Sequence, residues 1–188
     1  MQDRQALGRL HEQIAKCNIC SELRGVHHKF PSQCHGKVNS GIMLVSEGAY
    51  LPSIQAGRYF TRGHLRDALP NLEELCYLTD VIKCDTSCRK TSDIAKRCLP
   101  FLFKEIEILR PRLILAVGKM PFEQLVGKVS GKLADIHGKR NLFYFQGIEI
   151  IPIIHPSWAN KHFPIEPKVQ NYRKSLQVLF SKLENAVY

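Results

Sequence analysis

No stretch of about eighteen apolar residues occurs in this sequence, so no membrane-crossing helix is expected. Internal repeats, low-complexity tracts and an evident interdomain linker are also absent. That excludes a repeat array and leaves residues 1–188 as one domain. Acidic residues are scarce: Asp and Glu number 17 against 27 Lys and Arg, a formal net charge of +10. Such an excess favours a polyanionic partner such as nucleic acid, although charge alone fits an inert basic surface equally well. Tryptophan occurs once, at position 158. The start, Met1-Gln2-Asp3-Arg4, leads into a polar helix and not a signal peptide. Cysteine is not scarce. There are 7, an odd number, and without a secretory signal they are expected to stay reduced in a cytoplasmic setting, bound to metal or buried. With 188 residues and 44% hydrophobic content, the chain can bury one sizeable core.

Strand and helix patterns alternate along the chain. Residues 2–16 read as a helix that delivers Cys17, and Ile42-Met43-Leu44-Val45 reads as a short buried strand. A Gly- and Pro-bearing loop, a helix around residues 62–75 and a second strand from Tyr77 to Ile82 follow. Ser92 is placed to cap a helix that runs to Leu109, kinked at Pro100 and stopped by Pro111. Leu113 to Val117 is a third buried strand, and Gly118 opens another helix. Leu142–Phe145 and Ile148–Ile154 flank a Gln146-Gly147 hairpin turn. Apolar residues at 169, 172, 176, 179 and 183 stripe the last helix. This order implies an α/β fold, a sheet covered on both faces by helices. The ligand crevice of such a sheet lies beyond the carboxyl ends of its strands. Residues after Val45, around Asp80 to Lys83, and from His155 onward therefore converge.

The cysteines form two pairs. Cys17-x-x-Cys20 lies near the start, and Cys84 and Cys98 are separated by thirteen residues. Structural zinc and iron–sulfur clusters both use four such thiolates, and spacing does not choose between them. Cys88 competes as fourth ligand, because Cys84-x3-Cys88 is also a permissible spacing. Cys34 and Cys76 have no partner at ligand spacing, and Cys76 is expected in the core.

Six segments resemble the family-4 uracil-DNA glycosylases, the iron–sulfur branch of the uracil-DNA glycosylase superfamily. They are Cys17-x-x-Cys20, Ser46-Glu47-Gly48-Ala49-Tyr50, Gly57-Arg58-Tyr59-Phe60, Asp80-Val81-Ile82-Lys83-Cys84, Cys98-Leu99-Pro100-Phe101-Leu102 and His155-Pro156-Ser157. The resemblance spans roughly residues 14–180, and Val45 to Phe60 matches the family loop without a gap. It implies a three-layer α/β/α sandwich with a central parallel four-stranded sheet. It also implies a [4Fe–4S] cluster on Cys17, Cys20, Cys84 and Cys98, favouring Cys98 over Cys88. The implied activity is excision of uracil from DNA by a monomer.

Excision requires the nucleotide to be flipped into a pocket. By resemblance, Phe60 stacks on the base, and Gly48 and His155 donate to the departing oxygen. Glu47 holds water or opposes the positive charge that develops on the sugar. Trp158 enters the gap left in the duplex. Lys161, Lys139 and Arg140 supply positive charge near the mouth. His137, beside Lys139 and Arg140, reads as a solvated loop histidine.

The departures from the family pattern are specific. The loop's proline and second glycine become Ala49 and Tyr50, and its acidic pair falls on Ser53 and Ile54. The base-reading asparagine falls on Asp80. An amide both donates and accepts, whereas an ionised carboxylate only accepts and repels uracil O4 unless protonated. Asp80 therefore belongs to base reading or to catalysis. A preference for hypoxanthine or xanthine, or a DNA-binding protein with a decayed site, stays open at this stage.

Overall fold

A computed structural model describes residues 2–20, 35–61, 63–85, 92–162 and 168–187. Cys34 and Cys88 lie outside them. In chain order the elements are helix α1 (Gln2–Lys16), strand β1 (Ile42–Ala49), helices α2 (Leu51–Gln55), α3 (His64–Ala68) and α4 (Leu72–Leu75), strand β2 (Tyr77–Asp85) and helix α5 (Ser92–Leu109). Then come strand β3 (Leu113–Val117), helices α6 (Lys119–Val126) and α7 (Leu133–Ile136), strands β4 (Phe143–Phe145) and β5 (Ile148–Ile153), and helices α8 (Pro156–His162) and α9 (Lys168–Val187).

The strands form one sheet in the order β2-β1-β3-β5-β4. Strands β2, β1, β3 and β5 run parallel, as expected, and the Gln146-Gly147 hairpin adds β4 as an antiparallel edge. Period-2 alternation sends neighbouring side chains to opposite layers. Ile42, Leu44, Leu115 and Ile151 pack with Leu65 of α3, Leu72 of α4 and the α9 stripe of Tyr172, Leu176, Leu179 and Leu183. Met43, Val45, Ile114 and Ile150 pack with Leu7 of α1, Leu102 and Ile106 of α5 and Phe122 of α6. The result is the three-layer α/β/α sandwich. Truncating a fully buried residue such as Leu44 or Leu115 to alanine would cost about 2–5 kcal/mol.

Several local expectations are revised. The helix expected over residues 62–75 is two short helices, because Pro70 disfavours a helical Leu69, which sits at φ −133°, ψ 75°. The loop after β1 contains α2, with Pro52 in its first turn, where a missing N–H costs nothing. Helix α5 ends at Leu109, as expected, and carries Pro100 inside it on its exposed side. Strand β1 continues through Glu47 and Gly48, and β2 continues past Ile82 to Asp85, so Lys83 and Cys84 also lie within it. Cys76 is fully buried at the end of α4, as expected. The outer edge of β2 is covered at its start by residues 35–37. The Leu78 N–H donates to the His35 carbonyl at 2.7 Å, and the Lys37 N–H to the Cys76 carbonyl at 3.1 Å. No helix among the described residues is long and apolar enough to cross a membrane.

Candidate active site

From β1 the chain passes to β2 on one side, then to β3 and β5 on the other. That reversal opens a crevice beyond the carboxyl ends of β1 and β3. The register pairs Val45 with Ala116, and Val117 with Ile153. Carried forward by one or two residues, it sets Glu47, Gly118 and Ile154 at one height. Across the other flank of β1, Ser46 is level with Asp80. The sheet thus gathers Glu47, Gly48, Asp80 and His155 at one end, as the sequence predicted.

His155 lies two residues beyond the end of β5 and immediately before α8: its carbonyl accepts from the N–H groups of Trp158 and Ala159, both at 3.0 Å. Its Nδ1 accepts the Ser157 backbone N–H at 3.2 Å and lies 2.7 Å from the Ser157 hydroxyl. With Nδ1 occupied as an acceptor, the neutral ring carries its proton on Nε2. A Cβ at Gly118 would lie 3.5 Å from the His155 Cβ and 3.6 Å from its Cδ2, and Gly118 sits at φ +101°. Glycine at the end of β3 therefore gives the imidazole its seat. On another side stands Phe60, ring centroids 6.4 Å apart.

Phe60 is held in an unusual backbone conformation, φ 47°, which a side-chain-bearing residue rarely adopts without support. The support is Arg66. Its guanidinium is buried and donates to the carbonyls of Tyr59, Phe60 and Pro70 and to both oxygens of Glu73. Burial pulls the Glu73 pKa up, but the Arg66 bonds outweigh it and leave the carboxyl below its ordinary value. Sequence reasoning missed this pair, whose one trace is an arginine and a glutamate seven positions apart after Phe60.

Asp80 is buried. Beside it a cavity of about 30 Å³ opens, lined also by Lys83, Tyr59, His35 and His11, room for a water molecule or two. Behind the cavity lies a buried ion pair, Lys83 Nζ to Glu105 Oε2 at 2.6 Å. Glu105, fully buried on α5, also accepts from Thr79 at 2.8 Å and Tyr77 at 3.3 Å. A carboxylate with every oxygen bonded is tolerated in the interior. Burial lowers the pKa of His11 and brings that of His35 down to about 4, against the pull of Glu105 on both.

Cys17 follows α1 and is half-buried; Cys20, Cys84 and Cys98 are buried, and none of the four is in a disulfide. Burial raises the pKa of the Cys98 thiol, a hydrogen bond from the Lys83 backbone opposes it, and the thiols of Cys20 and Cys17 add to the rise. The C-x-x-C segment, the end of β2 and α5 therefore meet. Among the described residues, no three Cys, His, Asp or Glu side chains are grouped as ligands of a metal ion.

Trp158 and Lys161 lie exposed on α8, directly after His155. Trp158 is 40% exposed and stacks on His162 with centroids 4.1 Å apart. Lys139 is exposed. Arg140 is not brought to the crevice: its guanidinium binds Glu149 at 3.2 and 2.8 Å, and Glu149 is level with Leu113, where β3 starts. His137 is not a solvated loop histidine. It is partly buried against α9, stacked on Tyr172, because Gly138 is pinned by the Pro152 carbonyl at 2.8 Å.

A doubly covered parallel sheet with a histidine beside an aromatic at its switch point and a thiol-rich flank makes this an α/β protein whose site fits the glycosylase resemblance. Residues 34–179 match the Uracil DNA glycosylase superfamily, and the chain belongs to that superfamily. A Type-4 uracil-DNA glycosylase of Pyrobaculum aerophilum is 30% identical over 155 residues, covering 77% of this chain and 78% of that protein. Another of the same description, from Saccharolobus solfataricus, is 25% identical over 197 residues, covering 94% and 89%. A DNA polymerase of Bacillus phage SP01 is 26% identical over 169 residues, covering 82% of this chain and 17% of the polymerase.

Proposed function

We propose that this protein is a DNA repair glycosylase that hydrolyses the N-glycosidic bond of uracil in DNA, releasing the base and leaving an abasic site. The observation that carries this reading is the His155 arrangement. Its Nδ1 accepts from Ser157, which leaves the proton of the neutral ring on Nε2 as a donor, and its ring is seated on Gly118 near Phe60. Phe60 covers the flipped base. The His155 Nε2–H and the Gly48 N–H stabilise negative charge on the departing oxygen, as preorganised donors do. Asp80 reads the base edge. Glu47 holds the attacking water or steadies the sugar cation. Trp158 fills the gap in the duplex, and Lys161 and Lys139 meet phosphates. Arg140, neutralised by Glu149, is left out of that face.

Four cysteine thiols from three segments suit a [4Fe–4S] cluster, and the packing of Cys20 with Cys98 in one buried group supports that fit. Bound there, the cluster would tether α1, β2 and α5 beside the base-reading strand. The protein acts in the cytoplasm as a monomer on DNA containing a deaminated base. Asp80 favours one second reading, a preference for xanthine or hypoxanthine, since an ionised carboxylate suits a base edge that presents N–H donors. Single-turnover excision from DNA carrying uracil, hypoxanthine or xanthine tests both, with uracil expected to be released fastest. DNA binding without release of any of the three would overturn the glycosylase reading.

A further inference from the structure

His137 belongs to a closed ring of hydrogen bonds. The Ile154 backbone N–H donates to His137 Nδ1 at 3.2 Å. On the far side of the imidazole, Nε2 lies 3.1 Å from the Ser175 hydroxyl oxygen. The Ser175 hydroxyl donates to the Tyr172 carbonyl at 2.7 Å. The Tyr172 hydroxyl donates to the Ile154 carbonyl at 2.7 Å and so returns to the starting residue. With Nδ1 accepting, the neutral ring carries its proton on Nε2 and donates to Ser175. Every donor in the ring then has an acceptor. The Tyr172 ring also stacks on the His137 ring, centroids 5.4 Å apart at 29°.

The ring encloses the backbone of one residue, and that residue precedes His155. Strand β5 ends at Ile153, so the sheet ladder no longer fixes the chain at Ile154. Helix α8 begins at Pro156 and fixes it only beyond His155. Between the two, the N–H and C=O of Ile154 are both taken by the ring. The Ile154 carbonyl belongs to the peptide plane from which the His155 Cα departs. Rotating that plane would swing the imidazole off its seat on Gly118.

We propose that His137, acting with Tyr172 and Ser175, is a positioning residue for His155. The ring locks the Ile154–His155 peptide and so fixes where the Nε2–H meets the departing base. This role rests on the reading of His155 as the leaving-group donor. Catalytic donors must be held to within a fraction of an ångström, and small misplacements cost large factors in rate. Gly138, next to His137, is itself pinned to the Pro152 carbonyl, which ties the loop to β5.

The test is a double-mutant cycle on the full chain, read by single-turnover release of uracil from DNA. Tyr172→Phe keeps the stack and removes only the hydroxyl. It is expected to slow release about tenfold, with the DNA dissociation constant unchanged. His137→Leu is expected to slow it further, and His137→Asn to recover part of the loss, because the amide oxygen replaces Nδ1 as acceptor. In a His155→Ala background, Tyr172→Phe should have no further effect. A parent-like rate for Tyr172→Phe, or an undiminished loss in the His155→Ala background, overturns the positioning role. A parent-like rate for His155→Ala itself overturns the reading of His155, and the positioning role with it. Should His137→Leu fail to fold, Tyr172→Phe and its double variant still decide.

Discussion

An asparagine at position 80 would offer uracil a donor and an acceptor together, where the aspartate present offers only acceptors unless it carries a proton. Asp80 is 3% exposed and borders a cavity that holds little more than a water molecule. A protonated Asp80 can donate to uracil O4 and accept from N3–H, which is the role argued above. Asp80→Asn, which offers a donor and an acceptor without needing a proton, should then retain or improve excision of uracil. Single-turnover rates for both proteins check this. A dead Asp80→Asn enzyme would move Asp80 from base reading to charge stabilisation or water activation, because an amide cannot act as a base.

Among the elements, the Arg66–Glu73 clamp has the clearest consequence. Arg66→Ala leaves the partly buried Glu73 with Arg58 alone and removes the donor to the carbonyls of Tyr59 and Phe60, for a loss of about 1–3 kcal/mol. Urea unfolding should register that loss. Excision should fall too, because Phe60 then has no reason to stay at φ 47°. The cysteine flank gives a second outcome: Cys98→Ala should lose iron and colour from anaerobically purified protein, and Cys88→Ala should keep both. One zinc per chain in the parent protein would contradict the cluster. Much of this arrangement was legible in the sequence. Short continuous apolar runs marked the buried strands and the α9 stripe its covering helix, and the His-Pro-Ser and C-x-x-C segments marked the site and its flank. What was not legible depended on closure in three dimensions. Arg66 reads as a surface residue until α3 and α4 break at Pro70 and fold it under Phe60. His137 reads as a loop residue until α9 brings Tyr172 and Ser175 against it, about 35 positions later in the chain.

At the scale of the whole molecule, the buried histidines make this fold sensitive to acid. Burial lowers the pKa values of His11, His35 and His137 from 6.5, and His35 falls to about 4. The unfolded chain therefore binds protons at these sites at higher pH than the native fold does, and stability falls as pH drops below 6.5. For His35 alone, a shift from 6.5 to about 4 amounts at the limit to about 3 kcal/mol. Carboxyls act in the same direction: Glu73 and Glu149 are held below their ordinary pKa by Arg66 and Arg140, and lose those bonds as acid protonates them. All five groups thus destabilise the native state on acidification, with none offsetting another. Urea midpoints measured from about pH 7.5 down to about pH 4.5 should fall steadily. In His35→Phe, which removes one proton-binding step but keeps a ring against His11 and Tyr77, the fall should be shallower. Midpoints flat across that range would mean that these histidines are not buried neutral. His11 and His35 line the cavity beside Asp80, so the same protonation should loosen the base-reading strand. Acid loss of excision should then begin at higher pH than global unfolding, which parallel measurement of rate and far-ultraviolet ellipticity resolves.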